Sequence, residues 1–224
     1  RQEREELKEL LAQYENLKAG RTNSFIEEEG FERIIEHYDE KEDFDEALEA
    51  CEYAMNQYPY SSSLLLLKAN LFILTKKYTE ALELLNAAEQ IDNADTTLYI
   101  LKTDVYLALD MQEKAAEVLE NALDSFDGDE KLDLLFELTD VYDDYENFEK
   151  VFDCLVLILK MDPANEEALY KICFWTDFTG RNEESITLHK EIIEEQPYNE
   201  LAWFNLGAAY QGVKLHEKAL DAYS

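Results

Sequence analysis

The feature that most constrains this chain is a period of 34 residues. Ala47, Ala81 and Ala115 recur at that interval, and each is followed seven positions on by another alanine: Ala54, Ala88 and Ala122. Lys68 and Lys102, Leu67 and Leu101, Leu85 and Leu119, and Pro163 and Pro197 are spaced likewise. Pro59 precedes Pro163 by 104 residues, three periods plus two, so a two-residue insertion is expected near Asp127-Gly128-Asp129. A fixed period of this length marks a chain of stacked supersecondary units, each too small to bury its own apolar face. The landmarks set repeats at 28–61, 62–95, 96–131, 132–165 and 166–199, with a sixth from Glu200 cut at Ser224.

Inside a unit the apolar residues step by three and four, as in Leu82, Leu85, Ala88 and Ile91, which is helical periodicity. A polar break falls half-way: Glu42-Asp43, Lys76-Lys77, Asp110, Glu146-Asn147 or Gly180-Arg181. Each unit therefore reads as two antiparallel helices, and the prolines at 59, 163 and 197 stop the second one. Gly and Pro together number only nine in 224 residues, too few turn formers for a sandwich or barrel. The expected fold class is all-α.

The last unit reads Trp203-x-x-Leu206-Gly207-x-x-Tyr210, then Ala219-x-x-x-Tyr223. This resembles the tetratricopeptide repeat family, whose pattern is Trp-x2-Leu-Gly-x2-Tyr, then Ala-x3-Phe, then Pro. The resemblance implies a right-handed α-α superhelix, a solenoid of helix-turn-helix repeats over residues 24–224. It also explains the small residues, which sit where paired helices come closest. Repeats four and five depart from that pattern, with Val151 and Ile158, then Ser185 and Ile192. Residues 1–23 are read as an added capping helix with a stripe of Leu7, Leu10, Leu11, Tyr14 and Leu17, stopped at Gly20. Ser24-Phe-Ile-Glu27 has the capping-box pattern, so the first repeat helix is expected to begin one turn early. The chain stops inside a helix after Ala219, Leu220 and Tyr223, so further repeats or a cap are expected in the natural protein, or a second copy docked there as a homodimer.

Chemistry finds little footing. His37, His189 and His216 have no metal-ligand spacing to one another or to a cysteine, so no metal and no cofactor is expected. Cys51 and Cys154 fall on apolar stripes and read as packing thiols, while Cys173 takes the small-residue position that Gly207 holds one repeat later. Aligning Gly128 on the glycine of a calcium loop puts Leu123 and Leu134 where carboxylates belong. No phosphate loop, Gly-x-Ser-x-Gly or His-Glu-x-x-His occurs, so catalysis is not expected. Three widely spaced cysteines fit reduced thiols and a cytoplasmic setting. The most apolar stretch, Leu64 to Leu74, is too short to span a bilayer and contains Lys68, so no membrane insertion is expected.

Function is thus sought on a binding surface. In the resembled family the first helices line a concave groove at the second, fifth, ninth and twelfth repeat positions, which share one helix face. The resemblance places there Glu32, Glu36 and Asp39 in repeat one, and Leu66, Asn70 and Ile73 in repeat two. Repeat three offers Ile100, Asp104 and Leu107; repeat four, Phe136, Asp140 and Asp143. Repeat five offers Tyr170, Phe174 and Asp177, and repeat six, Phe204. The Lys positions of the family's carboxylate-clamp members hold Glu32 and Leu66, so that subtype is not expected.

Lys plus Arg number 20 against 52 Asp plus Glu, a formal charge of −32. Such a balance argues against nucleic acid, whose backbone recruits clustered cations. By repeat the charge runs −10, −2, −6, −7, −5 and −1. A protein or peptide partner carrying Lys or Arg beside apolar anchors would complement that surface. The expected function is a non-catalytic interaction scaffold binding such a segment in its groove. The alternatives are a self-associating structural module, and a regulatory segment of a longer multidomain protein.

Overall fold

The computed structural model describes residues 2–21 and 25–224, and all regular structure among them is helical. Thirteen α-helices follow in order: α1 (Gln2–Lys18), α2 (Glu28–Glu40), α3 (Phe44–Gln57), α4 (Ser62–Leu74), α5 (Tyr78–Ile91), α6 (Thr96–Ala108) and α7 (Gln112–Ala122). A 3₁₀ turn at Leu123–Ser125 precedes α8 (Gly128–Asp144), α9 (Phe148–Met161), α10 (Glu166–Thr179), α11 (Asn182–Glu195), α12 (Glu200–Gly212) and α13 (His216–Tyr223). The contacts divide the chain into two units, one ending at Leu109 and one running from Asp110 to Ser224.

The period is written into the backbone. At each of the five expected polar breaks one residue takes the left-handed conformation, Glu42, Lys76, Asp110, Glu146 and Gly180, and Lys214 does the same at the equivalent place in the last repeat. The 36-residue step from Asp110 to Glu146 carries the two-residue insertion. At Glu42, Lys76, Glu146 and Lys214 the amide hydrogen bonds close a Schellman turn; Asn147 N donates to Tyr142 O at 2.8 Å, for example. The first helices also start on recurring caps that are absent from the sequence reading above. Ser61, Asp95, Asn165 and Asn199 each accept a backbone N–H of the first turn, at 2.8–3.1 Å. Each such cap stabilises its helix by about 1 kcal/mol.

In the first unit the core joins Phe31, Ile34, Ile35, Ala47, Cys51, Ala54 and Leu64 to Tyr14 of α1. A second cluster joins Leu65, Leu66, Ala69, Ala81, Leu85, Ala88 and Leu98. The periodic alanines are buried as their spacing requires, and so are Val151, Ile158, Ser185 and Ile192 at the equivalent places in the second unit. Gly207 admits the Tyr223 ring so closely that an added Cβ would lie 2.4 Å from Tyr223 Cε1. Helix α1 packs on α2; the Tyr14 ring meets Tyr38 and Tyr53, and Lys18 pairs with Glu46 and Glu49 at 2.6 and 2.7 Å. Gly20 ends its turn at a φ of 65°.

Two expectations are revised. The first repeat helix does not begin early: α2 starts at Glu28, and Phe25–Glu27 precede it outside the helix. Ile26 is buried there and its carbonyl accepts a hydrogen bond from Tyr58 Oη at 3.0 Å, which holds the strand of chain extended. Ser24 of the capping-box pattern lies outside the described residues. Near the insertion, α8 starts at Gly128, ahead of the span 132–165, because α7 stops at Ala122 and buried Phe126 anchors the connection.

Five of the six left-handed residues carry a Cβ, which costs about 1–2 kcal/mol each where glycine costs little. Glu146→Gly is therefore expected to raise stability by about 1 kcal/mol after the added freedom of the unfolded chain is counted. Gly180→Ala, at a site with no neighbour within 4 Å of the new methyl, should lower it by about as much. Urea unfolding of both variants checks the pair; shifts of the same sign would refute it.

Candidate binding groove

Nine of the residues nominated from sequence lie in the first unit, where the structure engages several of them internally. Ser63 Oγ donates to the Glu32 carboxylate, as Ser61 does to Glu28. Asp39 and Asp104 are half-buried, and burial pushes both carboxyls above the ordinary range, with Glu40 adding to the effect at Asp39. Glu36 is exposed, while Asn70, Ile73, Ile100 and Leu107 are half-buried. Leu66 corrects the expectation of apolar groove surface: it is only 6% exposed, a member of the core cluster with Ala69 and Leu98. Its neighbours on α4, Leu64 and Leu65, are equally buried, so this stretch of the helix faces inward on a broad arc.

In the second unit the pattern differs. Asp140 on α8 is paired with Lys171 of α10 at 3.6 Å, and the same ammonium lies 5.6 Å from the centre of the Phe136 ring. Glu167 completes this arrangement at 2.8 Å from Lys171. The carboxylate and ring on α8 thus hold a cation that the protein supplies itself. Asp143 is exposed.

The remaining nominated residues meet in one place. Tyr170, Phe174 and Asp177 of α10 face Phe204 of α12 across a cleft of about 900 Å³, with Leu201, Ala208 and Gln211 also on the α12 wall. Tyr170, Phe174 and Phe204 are 66%, 59% and 53% exposed, a large apolar area left open to solvent. The steps of four from Tyr170 through Phe174 to Phe178 put three rings on one side of α10. Phe178 stacks on Phe174 at 5.9 Å, and Trp175 and Phe148 extend the cluster. Phe178 and Trp175 were absent from the sequence-based set because they lie outside its four repeat positions, although the i, i+4 spacing of Phe174 and Phe178 was visible. Tyr170 and Leu201 also line a second space of about 700 Å³ at the N-terminal ends of α10 and α12, rimmed by Glu166, Glu195 and Glu200.

The floor of the cleft is polar and wholly internal. Asn205 Nδ2 donates to Leu169 O at 2.8 Å and approaches His189 Nε2 at 3.2 Å. His189 Nδ1 donates to Ser185 O at 2.7 Å, and Thr176 donates to Ser185 Oγ at 3.1 Å. With one ring nitrogen donating and the other accepting, His189 is neutral, and burial holds its pKa down at about 4. Neither this network nor the role of His189 was visible in the sequence, because its members lie on three helices with no spacing rule.

The buried Cys51 and Cys154 thiols are pushed up to about 12 by burial, and Cys173 in the cleft wall is also raised, so none is an activated nucleophile. Among the described residues no group of three His, Cys, Asp or Glu side chains is placed to hold a metal ion, and no helix is long and apolar enough to cross a membrane.

With helix pairs and cleft in view, the relatives are informative. Residues 40–105 match the tetratricopeptide repeat family model. No curated protein matches the chain. Among solved structures, YrrB, described as a TPR protein with an unusual peptide-binding site, is 22% identical with a TM-score of 0.50, over 78% of this chain and 89% of that one. A tetratricopeptide repeat protein from Parabacteroides merdae ATCC 43184 is 19% identical with a TM-score of 0.55, over 87% and 77%. The Naa15/Naa10 structure bound to HypK-THB is 15% identical with a TM-score of 0.63, over 87% of this chain and 30% of that one. The family model thus matches part of the chain, and the helix pairs share the fold of these tetratricopeptide repeat structures.

His189 gives the groove floor a pH signature. Between about pH 6.5 and pH 4 the unfolded chain binds a proton that the folded chain refuses, so stability falls as pH drops through that window and levels off below it. The loss attributable to this one residue is about 3 kcal/mol. Urea titrations of wild type and His189→Gln from pH 7 to pH 4 should show the stability gap between them shrinking by about that amount on acidification. A constant gap would remove His189 from the account.

Proposed function

We propose that this chain is a non-catalytic protein-interaction scaffold whose working surface is the α10–α12 cleft, and that it takes a basic, partly apolar segment of another protein. The observation that carries the reading is the set of three exposed rings, Tyr170, Phe174 and Phe204, in a cleft lined by Asp177, with Glu166, Glu195 and Glu200 around the adjoining space. Exposed aromatic side chains in a concave site are the usual anchors of an interface, each worth about 1–2 kcal/mol or more when covered. The carboxylates and the net charge of −32 speed the approach of a cation-bearing partner and repel acidic competitors. The peptide-binding site named for YrrB supports the same kind of use for this fold. Asp140 and Phe136 are secondary in this reading, since Lys171 already occupies them.

A second reading, self-association, is favoured by the surface of the last repeat, where Leu220, Trp203 and Tyr223 are exposed on a unit of net charge −1. Sedimentation over a hundredfold range of concentration separates it: a constant monomer mass would exclude it.

The interaction reading is tested by affinity capture from the source lysate with wild type and with the Tyr170→Ala/Phe174→Ala double variant, at low and high salt. A partner held by wild type, weakened at least tenfold in the variant and weakened by salt is the expected result. A partner held equally by both proteins would place the working surface elsewhere.

A further inference from the structure

We infer that a second copy of this chain docks on the face formed by α11 and α13, on the far side of α12 from the cleft. The contact is a weak two-fold dimer in which Lys190 and Lys218 of each copy meet Glu194 and Asp221 of the other. This rests on the self-association reading above, shares Trp203 with it, and adds the face used and the way the two copies are turned.

Trp203 and Tyr210 lie on the side of α12 turned away from Phe204, as their spacing along the helix requires. Between them is a hollow of about 430 Å³, walled by Lys190 and Glu194 of α11 and by Lys218 and Asp221 of α13. The connections at 196–199 and 213–215 are so short that α11 and α13 both run antiparallel to α12. From Lys190 to Glu194, and from Lys218 to Asp221, the chain therefore advances towards the same end. That end is marked by Trp203, whose Nε1 donates to Pro197 O at 2.8 Å. At the opposite end the two ammonium groups converge on the Tyr210 ring, 5.8 and 5.7 Å from its centre. The hollow is thus dipolar, with cations at Tyr210 and carboxylates about one turn along. All four charged side chains are exposed, and among the described residues none of them is in an ion pair.

A dipolar face fits a turned copy of itself. Half a turn about an axis normal to the face exchanges its ends, so cations meet carboxylates at both ends at once and the contact closes on two copies. A partner of a single charge sign meets repulsion at one end or the other. The charge of the rest of the chain does not oppose the contact strongly. The last repeat carries −1, the least of the six, and at physiological ionic strength the field of a distant charge fades over about 8 Å. Helix α11, with 14 residues, is about 21 Å long, and two helices side by side are about 20 Å wide, so each copy offers about 400 Å². The two faces together make about 800 Å², short of the roughly 1,200 Å² of a stable complex. The dimer is therefore weak, with a midpoint on the order of 10–100 μM.

The test is sedimentation equilibrium of the 224-residue chain at physiological ionic strength, from about 1 to about 300 μM, a range that brackets the expected midpoint. Wild type is run beside two variants whose circular dichroism matches it. Lys190→Glu/Lys218→Glu makes the face wholly acidic and is expected to weaken the dimer at least tenfold. Lys190→Glu/Lys218→Glu/Glu194→Lys/Asp221→Lys reverses the dipole, and a reversed dipole is again complementary to its own turned copy. This fourfold variant is therefore expected to dimerise within threefold of wild type. A wild-type dimer that the double variant leaves unchanged overturns the face while the self-association reading stands. A dimer lost in the double variant and not regained in the fourfold one overturns the two-fold arrangement. A constant monomer mass for wild type over the whole range ends both the proposal and the self-association reading.

Discussion

The structure depends on the sharp reversal between the two helices of each pair. One residue per repeat, at 42, 76, 110, 146, 180 and 214, turns the chain through the left-handed region. In doing so it brings the small residues of the second helix against the first. A chain that cannot make this reversal cannot bury Ala47, Ala81 or Ala115, whose short side chains contribute little unless two backbones come close. Only Gly180 makes the turn cheaply. At Glu42, Lys76, Glu146 and Lys214 the Schellman hydrogen bonds and the packing on either side over-determine a conformation that the residue itself disfavours, as strained positions require.

The parts of the fold legible in the sequence were those with a period. The alanine pairs, the polar breaks and the prolines at 59, 163 and 197 all state a spacing, and spacing is a property of the written chain. Capping recurs with the same period at Ser61, Asp95, Asn165 and Asn199, and could have been read by the same arithmetic. The division after Leu109 carries no comparable signal, since the insertion falls about eighteen residues later. The early start expected for α2 failed because a local capping pattern was weighed against nothing, while Ile26 is held by Tyr58 from the far end of the repeat.

The groove was legible in kind and misleading in detail. Four positions per repeat name one face of a helix, and in α10 and α12 that face is open. In α4 the apolar residues occupy so wide an arc that Leu66 belongs to the core. Whether a carboxylate is available depends on what reaches it from the next helix, as Ser63 reaches Glu32 and Lys171 reaches Asp140. Such pairings join residues about thirty positions apart with no pattern to announce them. The same holds for the floor, where Asn205, His189, Ser185 and Thr176 satisfy one another out of sight of water, so the cleft rests on a base with no spare donor to offer.

Lys171 bears on valency. Its ammonium sits with the Asp140 carboxylate and over the Phe136 ring, the pairing of charge and aromatic face that the proposed function calls on in the α10–α12 cleft. The protein therefore fills this pairing with its own side chain. Left empty on α8 beside the cleft, it would let a ligand with repeated basic stretches hold two points at once, with the gain in avidity that tethering brings. On the proposed reading, a lysine spent within the chain would leave the second unit one site for a cation-bearing partner rather than two, and would deny a multivalent polycation its second foothold.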